Sequence, residues 1–101
     1  GVVSYSATKH GIVGITKSIA AEYANQGIQI NAVAPGSTET PMVKQYREAN
    51  PELFKTVSAG IPQRRLGQPE EVAELVAFLL MSEAKYINGA VVPIDGGFTA
   101  V

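Results

Sequence analysis

The sequence contains no cysteine and a single histidine, His10, among its 101 residues. Without cysteine, disulfide scaffolds, thiolate nucleophiles and zinc–thiolate sites are excluded. One histidine leaves little material for a histidine-based metal site, so we predict no metal centre. The lack of cysteine is compatible with a reducing compartment, and we expect a cytoplasmic protein.

The sequence also lacks an excess of charge of either sign and a long hydrophobic run. Eight basic and nine acidic side chains give a formal net charge of −1. This balance offers no basic field for nucleic acid and no polybasic patch for a membrane surface. The longest apolar run, Leu75 to Met81, has seven residues, whereas a bilayer-spanning helix needs ~18 or more. We therefore expect neither nucleic acid nor a membrane as a partner.

The periodicity of the first third of the chain predicts one helix and one strand. The segment from about Ser6 to Asn25 contains no proline and has apolar residues in steps of three and four, which predicts a helix. Gly27 stands where a glycine commonly ends a helix. Residues 28–33 alternate and then become apolar, so we predict a strand that Pro35-Gly36 ends.

A long polar excursion follows, and then a second helix and strand. Two short helices are predicted at 42–49 and 52–59. A longer helix is predicted from Pro69, because proline suits the first helical position and an apolar stripe follows it. A short buried strand is predicted at 90–94, and Asp95-Gly96-Gly97 closes it.

The alternation of helices and strands is typical of a parallel α/β sheet with right-handed crossovers. Two strands are too few, because helices of this chain alone could not cover both faces and both edges. We therefore predict that residues 1–101 are the C-terminal part of one doubly wound, Rossmann-type domain. The sequence begins without an initiator methionine or a signal-peptide pattern, so we expect a longer protein.

In such a fold, strand C-termini and helix N-termini meet at the edge of the sheet where ligands bind. Four groups are expected together at this rim: Tyr5, Pro35-Gly36, Gln68-Pro69 and Asp95-Gly96-Gly97. The long segment 37–67, which we call the lid segment, leaves the same rim. Excursions of this length are usually functional, so we expect it to cover the substrate side.

Tyr5 and Lys9 are spaced i, i+4, so both side chains project from one helix face. A phenol with a pKa near ~10 is a weak acid–base group at neutral pH, and a nearby ammonium stabilises its phenolate. The spacing is therefore suited to general acid–base catalysis. Taken alone, however, such a pair is more often part of a solvated helix face.

Five segments appear in a specific order along the chain: Tyr5–Gly11, Ile30–Gly36, Arg65–Ala73, Asn88-Gly89 and Asp95–Gly97. Together they resemble the C-terminal part of the short-chain dehydrogenase/reductase family, over nearly the whole chain. The C-terminal ending resembles the shorter, single-domain members of that family.

The resemblance implies an NAD(P)-dependent oxidoreductase that interconverts a secondary alcohol and a ketone and assembles as a homo-oligomer, a dimer or a tetramer. It implies that Tyr5 passes a proton to or from the substrate oxygen. It also implies that Lys9 binds the nicotinamide ribose and supports Tyr5, so both side chains belong to the expected cofactor site. The other implied cofactor contacts are Pro35, Gly36, the backbone of Thr38 and the hydroxyl of Thr40.

Members of this family also use an upstream serine, an asparagine and a glycine-rich loop, and these are not in this sequence. The alternative interpretation is a non-catalytic chain that only packs against or assembles with other chains. Both NAD and NADP stay open as the cofactor, and the alcohol is not identified.

Three further features have mainly structural interpretations. Arg64-Arg65 could bind a cofactor phosphate through paired hydrogen bonds, but as loop charges near a helix start we expect them to be structural. We expect His10 to lie on a helix surface or between subunits, and not to be a catalytic base. The small residues Gly11, Gly14 and Ser18 permit close helix packing, either against the rest of the same subunit or against a partner helix in a dimer.

Overall fold

The computed structural model of the protein describes residues 2–101. It contains four helices and two strands of four residues each, with three short 3₁₀ turns between or after them. The elements, in chain order, are α1 Val2–Tyr23, β1 Ala32–Pro35, α2 Pro41–Ala49, α3 Pro51–Gly60, α4 Pro69–Leu79 and β2 Val91–Ile94.

The first helix, α1, begins earlier than predicted. It starts at Val2 rather than near Ser6, because residues 2–10 contain no proline or glycine. Tyr5 therefore lies inside the helix and not at its N-terminus. The predicted end is confirmed: a 3₁₀ turn follows α1, and Gly27 closes it in the left-handed conformation, with φ 77°.

The first strand, β1, starts later than predicted, because side-chain amides take the place of ladder bonds before it. The backbone N–H of Ile30 donates to Asn88 Oδ1 at 2.9 Å. The backbone N–H of Ala90 donates to Asn31 Oδ1 at the same distance, 2.9 Å. Regular strand pairing begins only after these two contacts.

The two strands are hydrogen-bonded neighbours in one sheet and run in the same direction. Ala32 N donates to Ala90 O at 2.8 Å, and Gly36 N donates to Ile94 O at 3.0 Å. Equal steps along both strands define a parallel pair, so the predicted parallel pairing is confirmed. The prediction that β2 is buried is wrong: its residues are half-buried and Pro93 is exposed, because two strands leave faces and edges open.

The chain divides into two compact units, and each strand and helix α4 contribute residues to both of them. The first unit contains the chain up to Val33 together with Ala77–Val92, and the second contains Ala34–Val76 together with Pro93–Val101.

Few of residues 2–101 are buried. In the first unit they are Thr16, Ala20 and Ala84, and in the second unit they are Ile61 and Leu66. The predicted apolar stripe of α4 includes no buried residue, and Leu80, just beyond the helix, is 81% exposed. No helix in this part of the chain is long and apolar enough to cross a membrane.

The lid segment contains α2 and α3, which are separated at Asn50-Pro51 as predicted. Thr40 caps α2, because its hydroxyl oxygen accepts a hydrogen bond from Val43 N at 3.2 Å. The rings of Tyr46 and Phe54 meet edge to face across the two helices, with centroids 5.9 Å apart. Capping and proline therefore set the helix bounds, and an aromatic contact joins the pair.

Candidate functional site

Tyr5 and Lys9 lie one turn apart on α1, and their side chains are neighbours as the spacing predicts. Lys9 Nζ is 5.4 Å from the centroid of the Tyr5 ring, within the range of a cation–π contact. Tyr5 is 65% exposed, so its hydroxyl is accessible to another molecule. The arrangement places an ammonium beside an accessible phenol.

The side chains around this pair are bound to the helix itself. Thr8 Oγ1 donates to Ser4 O at 2.8 Å. His10 is exposed, and its Nδ1 lies 2.8 Å from Ser6 O. The predicted surface position of His10 is therefore confirmed. Gly11 and Gly14 have open space beside them within the described residues, so both interpretations of that small-residue face stay predictions.

Asp95, at the C-terminal end of β2, organises the turn that follows it. Its Oδ1 accepts from Gly97 N at 3.0 Å. Its Oδ2 accepts from Thr99 N at 3.1 Å and from Thr99 Oγ1 at 2.6 Å. The hydroxyl of Thr99 is the main cause that lowers the pKa of Asp95 below its ordinary value. Gly96 and Gly97 both adopt positive φ, which closes the turn.

The expected cofactor residues after β1 form a tight, internally bonded segment. Thr38 Oγ1 donates to Gly36 O at 3.0 Å, and Thr40 N donates to Thr38 O at 2.9 Å. The Thr40 hydroxyl accepts from Val43 N and keeps its own proton available for donation. Residues 36–40 thus form local hydrogen bonds within the segment.

Arg65 and Glu71 form a two-pronged ion pair at the start of α4. Arg65 Nη1 and Nη2 donate to Glu71 Oε2 and Oε1 at 2.9 and 2.8 Å. The Arg65 hydrogen bonds, followed by one from Gln68 N, lower the pKa of Glu71 from 4.5 to about 2. The expectation that Arg65 is structural is confirmed.

The loop before α4 is joined to the segment 36–40 by a short parallel bridge between Gly67 and Thr38. Gly67 N donates to Ser37 O at 2.9 Å, and Glu39 N donates to Gly67 O at 2.8 Å. Sequence reasoning missed this bridge, because no local pattern indicates pairing between distant single residues. The spacing of Gln68 and Glu71 is that of a helix-capping pair, which indicates the contact of Glu71 Oε2 with Gln68 N but not the bridge.

Two cavities of the second unit lie beside the C-terminal ends of the strands. One, of about 340 Å³, has a polar lining that includes Thr38, Arg65, Gln68 and Asp95. The other, of about 580 Å³, is mainly apolar and is lined by residues that include Pro35, Val57, Ile61 and Phe98.

Three of the four predicted rim groups line these two cavities of the second unit. They are Pro35-Gly36, Gln68 and Asp95–Gly97. Tyr5 and Lys9 belong to the first unit. Their place at the same rim, and the roles of all the expected site residues, stay predictions.

A profile of the family described as "Enoyl-(Acyl carrier protein) reductase" matches residues 1–99. The chain is 46% identical to a cyclohexanol dehydrogenase from Acinetobacter sp. (strain SE19), over 98% of this chain and 37% of that protein. It is 49% identical to a levodione reductase from Leifsonia aquatica, over 95% of this chain and 38% of that protein. It therefore spans less than half the length of these relatives.

Solved structures of similar chains have the same backbone arrangement. A 4-hydroxyisoleucine dehydrogenase complexed with NADH superposes with a TM-score of 0.90 at 30% identity, over 98% of this chain and 40% of that one. A short chain dehydrogenase family protein from Francisella tularensis superposes with a TM-score of 0.85 at 36% identity, over 96% and 43%. The predicted Rossmann-type fold class is confirmed.

Proposed function

The chain belongs to the short-chain dehydrogenase/reductase family, and from this membership we propose that the protein is an NAD(P)-dependent oxidoreductase that interconverts a secondary alcohol and a ketone. The observation that carries the proposal is the contact between Lys9 and Tyr5. Relatives named as dehydrogenases and reductases support the same reaction class.

The residues after β1 fit a nicotinamide cofactor, which supplies the hydride chemistry when bound. Pro35 and Gly36 both line the apolar cavity of about 580 Å³ at the C-terminal end of β1. The Thr40 hydroxyl accepts from Val43 N, and its own proton has no acceptor among the described residues, so it can be donated to a ligand. Pro35, Gly36, Thr38 and Thr40 are therefore proposed as cofactor contacts, with Lys9 on the ribose hydroxyls.

Tyr5 is the proposed acid–base group. During reduction of a ketone, its hydroxyl donates a proton to the substrate oxygen. During oxidation of an alcohol, its phenolate accepts that proton. The Lys9 ammonium, 5.4 Å from the centroid of the Tyr5 ring, is the positive charge nearest to this group in the proposal.

The lid segment is proposed to cover the carbon skeleton of the substrate. Val57 of α3 and Pro35 of β1 both line the apolar cavity of about 580 Å³. The only ionisable lining residue among those described is Asp95, whose carboxylate oxygens already accept hydrogen bonds from Gly97 and Thr99. Such a lining favours an uncharged carbon skeleton over an anionic one.

A second candidate is a non-catalytic chain that only packs against or assembles with other chains. The exposed apolar surface favours it: Val3 is 83% exposed and Leu80 is 81% exposed. The two candidates differ in one measurable property, because only the oxidoreductase reduces NAD(P) with a secondary alcohol.

The test of the proposed function is turnover of the complete protein carrying Tyr5→Phe. We expect turnover to fall at least ~10²-fold, the scale of a lost general acid–base group, with cofactor still bound. Lys9→Met is expected to weaken both cofactor binding and turnover. Tyr86→Phe is the matched control, because Tyr86 is fully exposed, at 102%. Near-normal turnover of Tyr5→Phe with cofactor bound would remove Tyr5 from the mechanism.

A further inference from the structure

The position of Thr38 is set by backbone hydrogen bonds to a single distant residue, Gly67. Gly67 donates to the carbonyl of Ser37 and accepts from the N–H of Glu39, so it binds both neighbours of Thr38. The contact is an isolated bridge and not part of the two-stranded sheet. A displacement of Gly67 is therefore expected to displace the segment 36–40, which is proposed to contact the cofactor.

The peptide groups on both sides of Gly67 are held by the ion pair of Arg65 and Glu71. Arg65 Nη1 donates to Leu66 O at 3.1 Å. Glu71 Oε2 accepts from Gln68 N at 2.8 Å. Leu66 is only 7% exposed, so its side chain anchors the same loop. The two charged side chains thus clamp the backbone from Leu66 to Gln68.

A second link runs through side chains from the same loop to helix α2. Gln68 Nε2 donates to Glu39 Oε2 at 3.0 Å. Glu39 is in turn paired with Arg47 of α2, and its side chain is only 17% exposed. The loop before α4 therefore makes hydrogen bonds to the segment 36–40 and is linked through Glu39 to α2, the first helix of the lid segment.

Both terminal nitrogens of the Arg65 guanidinium take part in this arrangement. Its two terminal nitrogens bind both oxygens of Glu71, and one also donates to Leu66 O. A guanidinium paired in this way is oriented for its carboxylate and not for a phosphate in the cavity. Its position indicates a role exerted through the backbone.

We propose that Arg65 and Glu71 are positioning residues for the cofactor, which act through Gly67 on the segment 36–40. The proposal rests on the proposed function, because it takes that segment as the nicotinamide contact. It assigns to the pair an effect on cofactor affinity that a merely stabilising ion pair at a helix end does not have.

The experiment compares Glu71→Gln with Glu70→Gln in the complete protein. Glu70 is the neighbouring glutamate, exposed and without a hydrogen bond or ion pair among the described residues. Cofactor Kd is measured by the fluorescence of reduced cofactor without turnover, and the KM of each substrate is measured separately. We expect Glu71→Gln to weaken cofactor binding about tenfold, with the alcohol KM changed less than about twofold, as for a misplaced binding group.

Arg65→Lys supplies the graded variant. Lysine keeps the charge but loses the two-pronged geometry, so its cofactor Kd is expected to lie between those of the wild type and Glu71→Gln. If Glu71→Gln does not fold, the cofactor Kd of Arg65→Lys is compared with that of Glu70→Gln instead. An unchanged cofactor Kd in the folded variants, or an equal change in Glu70→Gln, would overturn the positioning role.

The two proposals fail in different ways. A wild-type protein that binds neither NAD nor NADP overturns the proposed function and this inference together. A wild-type protein that binds cofactor, while the folded Glu71 and Arg65 variants bind it equally well, overturns this inference alone. Normal turnover of Tyr5→Phe contradicts the proposed mechanism but leaves the effect of Glu71→Gln on cofactor Kd intact.

Discussion

Gly36 and Asp95 approach so closely that a Cβ atom on Gly36 would lie 2.7 Å from the Cβ of Asp95 and 2.9 Å from its Cα. The family resemblance of the sequence implies that this glycine is a cofactor contact. The structure adds a second reason within the protein, because the ends of the two strands meet at this point. Gly36 is therefore required for packing before any ligand binds.

Gly36→Ala is expected to destabilise the complete protein by about 1–3 kcal/mol, because the new methyl group overlaps backbone and not a flexible side chain. Gly60→Ala is the matched control, since no described atom lies within 4 Å of its Cβ position. That control is expected to be neutral or up to about 1 kcal/mol more stable. Chemical denaturation measures both values, and equal stabilities of the two variants would contradict the packing argument.

Acidification is expected to lower the folding stability of the protein, because it protonates Glu71. Its pKa is lowered from 4.5 to about 2, chiefly by the hydrogen bonds from Arg65. A carboxyl group with a lowered folded pKa contributes stability that is present above its ordinary pKa and lost as the pH falls through the folded pKa. The loss is therefore expected between about pH 4.5 and pH 2.

The measurement is the Tm of the complete protein over this pH range. Glu71→Gln is expected to show a shallower decline of Tm with acid than the wild type, because it has no carboxyl group to protonate at this position. Glu70→Gln serves as the control and is expected to follow the wild type. Parallel declines in all three proteins would show that the pair with Arg65 does not couple to folding.

The lid segment, residues 37–67, is expected to become better protected when cofactor and substrate bind. It carries two short helices, and among its described residues only Ile61 and Leu66 are buried. Hydrogen exchange of the complete protein in its free and ternary states measures this change. Helix α1 provides the internal reference, and equal protection of the lid segment in both states would argue against a closing role.

The 101 residues made alone are expected neither to fold as a stable monomer nor to bind nicotinamide cofactor. A sheet of two strands has unpaired edges. None of the described residues buries the apolar stripe of α4. A chain of this size is only marginally stable even with a complete core. Sharp, cooperative melting of the monomeric chain, or saturable cofactor binding by it, would contradict this prediction.

Local signals predicted most helix bounds correctly, because a few residues determine them. Asn50-Pro51 separates α2 from α3, and Pro69 is the first residue of α4. The start of β1 was predicted wrongly for a complementary reason. Alternating apolar residues favour a strand, but the amides of Asn31 and Asn88 bind the backbone there, and contacts so distant in sequence leave no periodic pattern.

In the candidate site, too, contacts set by local spacing could be predicted and contacts between distant residues could not. The contact between Tyr5 and Lys9 follows from helical spacing, so the sequence predicts it directly. The bridge between Gly67 and Thr38 joins two irregular segments, and irregular segments have no period from which to infer pairing. The ion pair of Arg65 with Glu71 spans a loop and a helix start, where spacing alone does not specify a contact.

The reciprocal amide contacts before the strands have a consequence for alignment. The short apolar sequences of β1 and β2 do not alternate between polar and apolar residues, so burial alone would tolerate a shifted pairing. Asn31 and Asn88 each recognise one N–H on the opposite segment, and a shift of either strand would break both contacts at once. Two asparagines thus select a single register for a sheet whose hydrophobic residues would accept several.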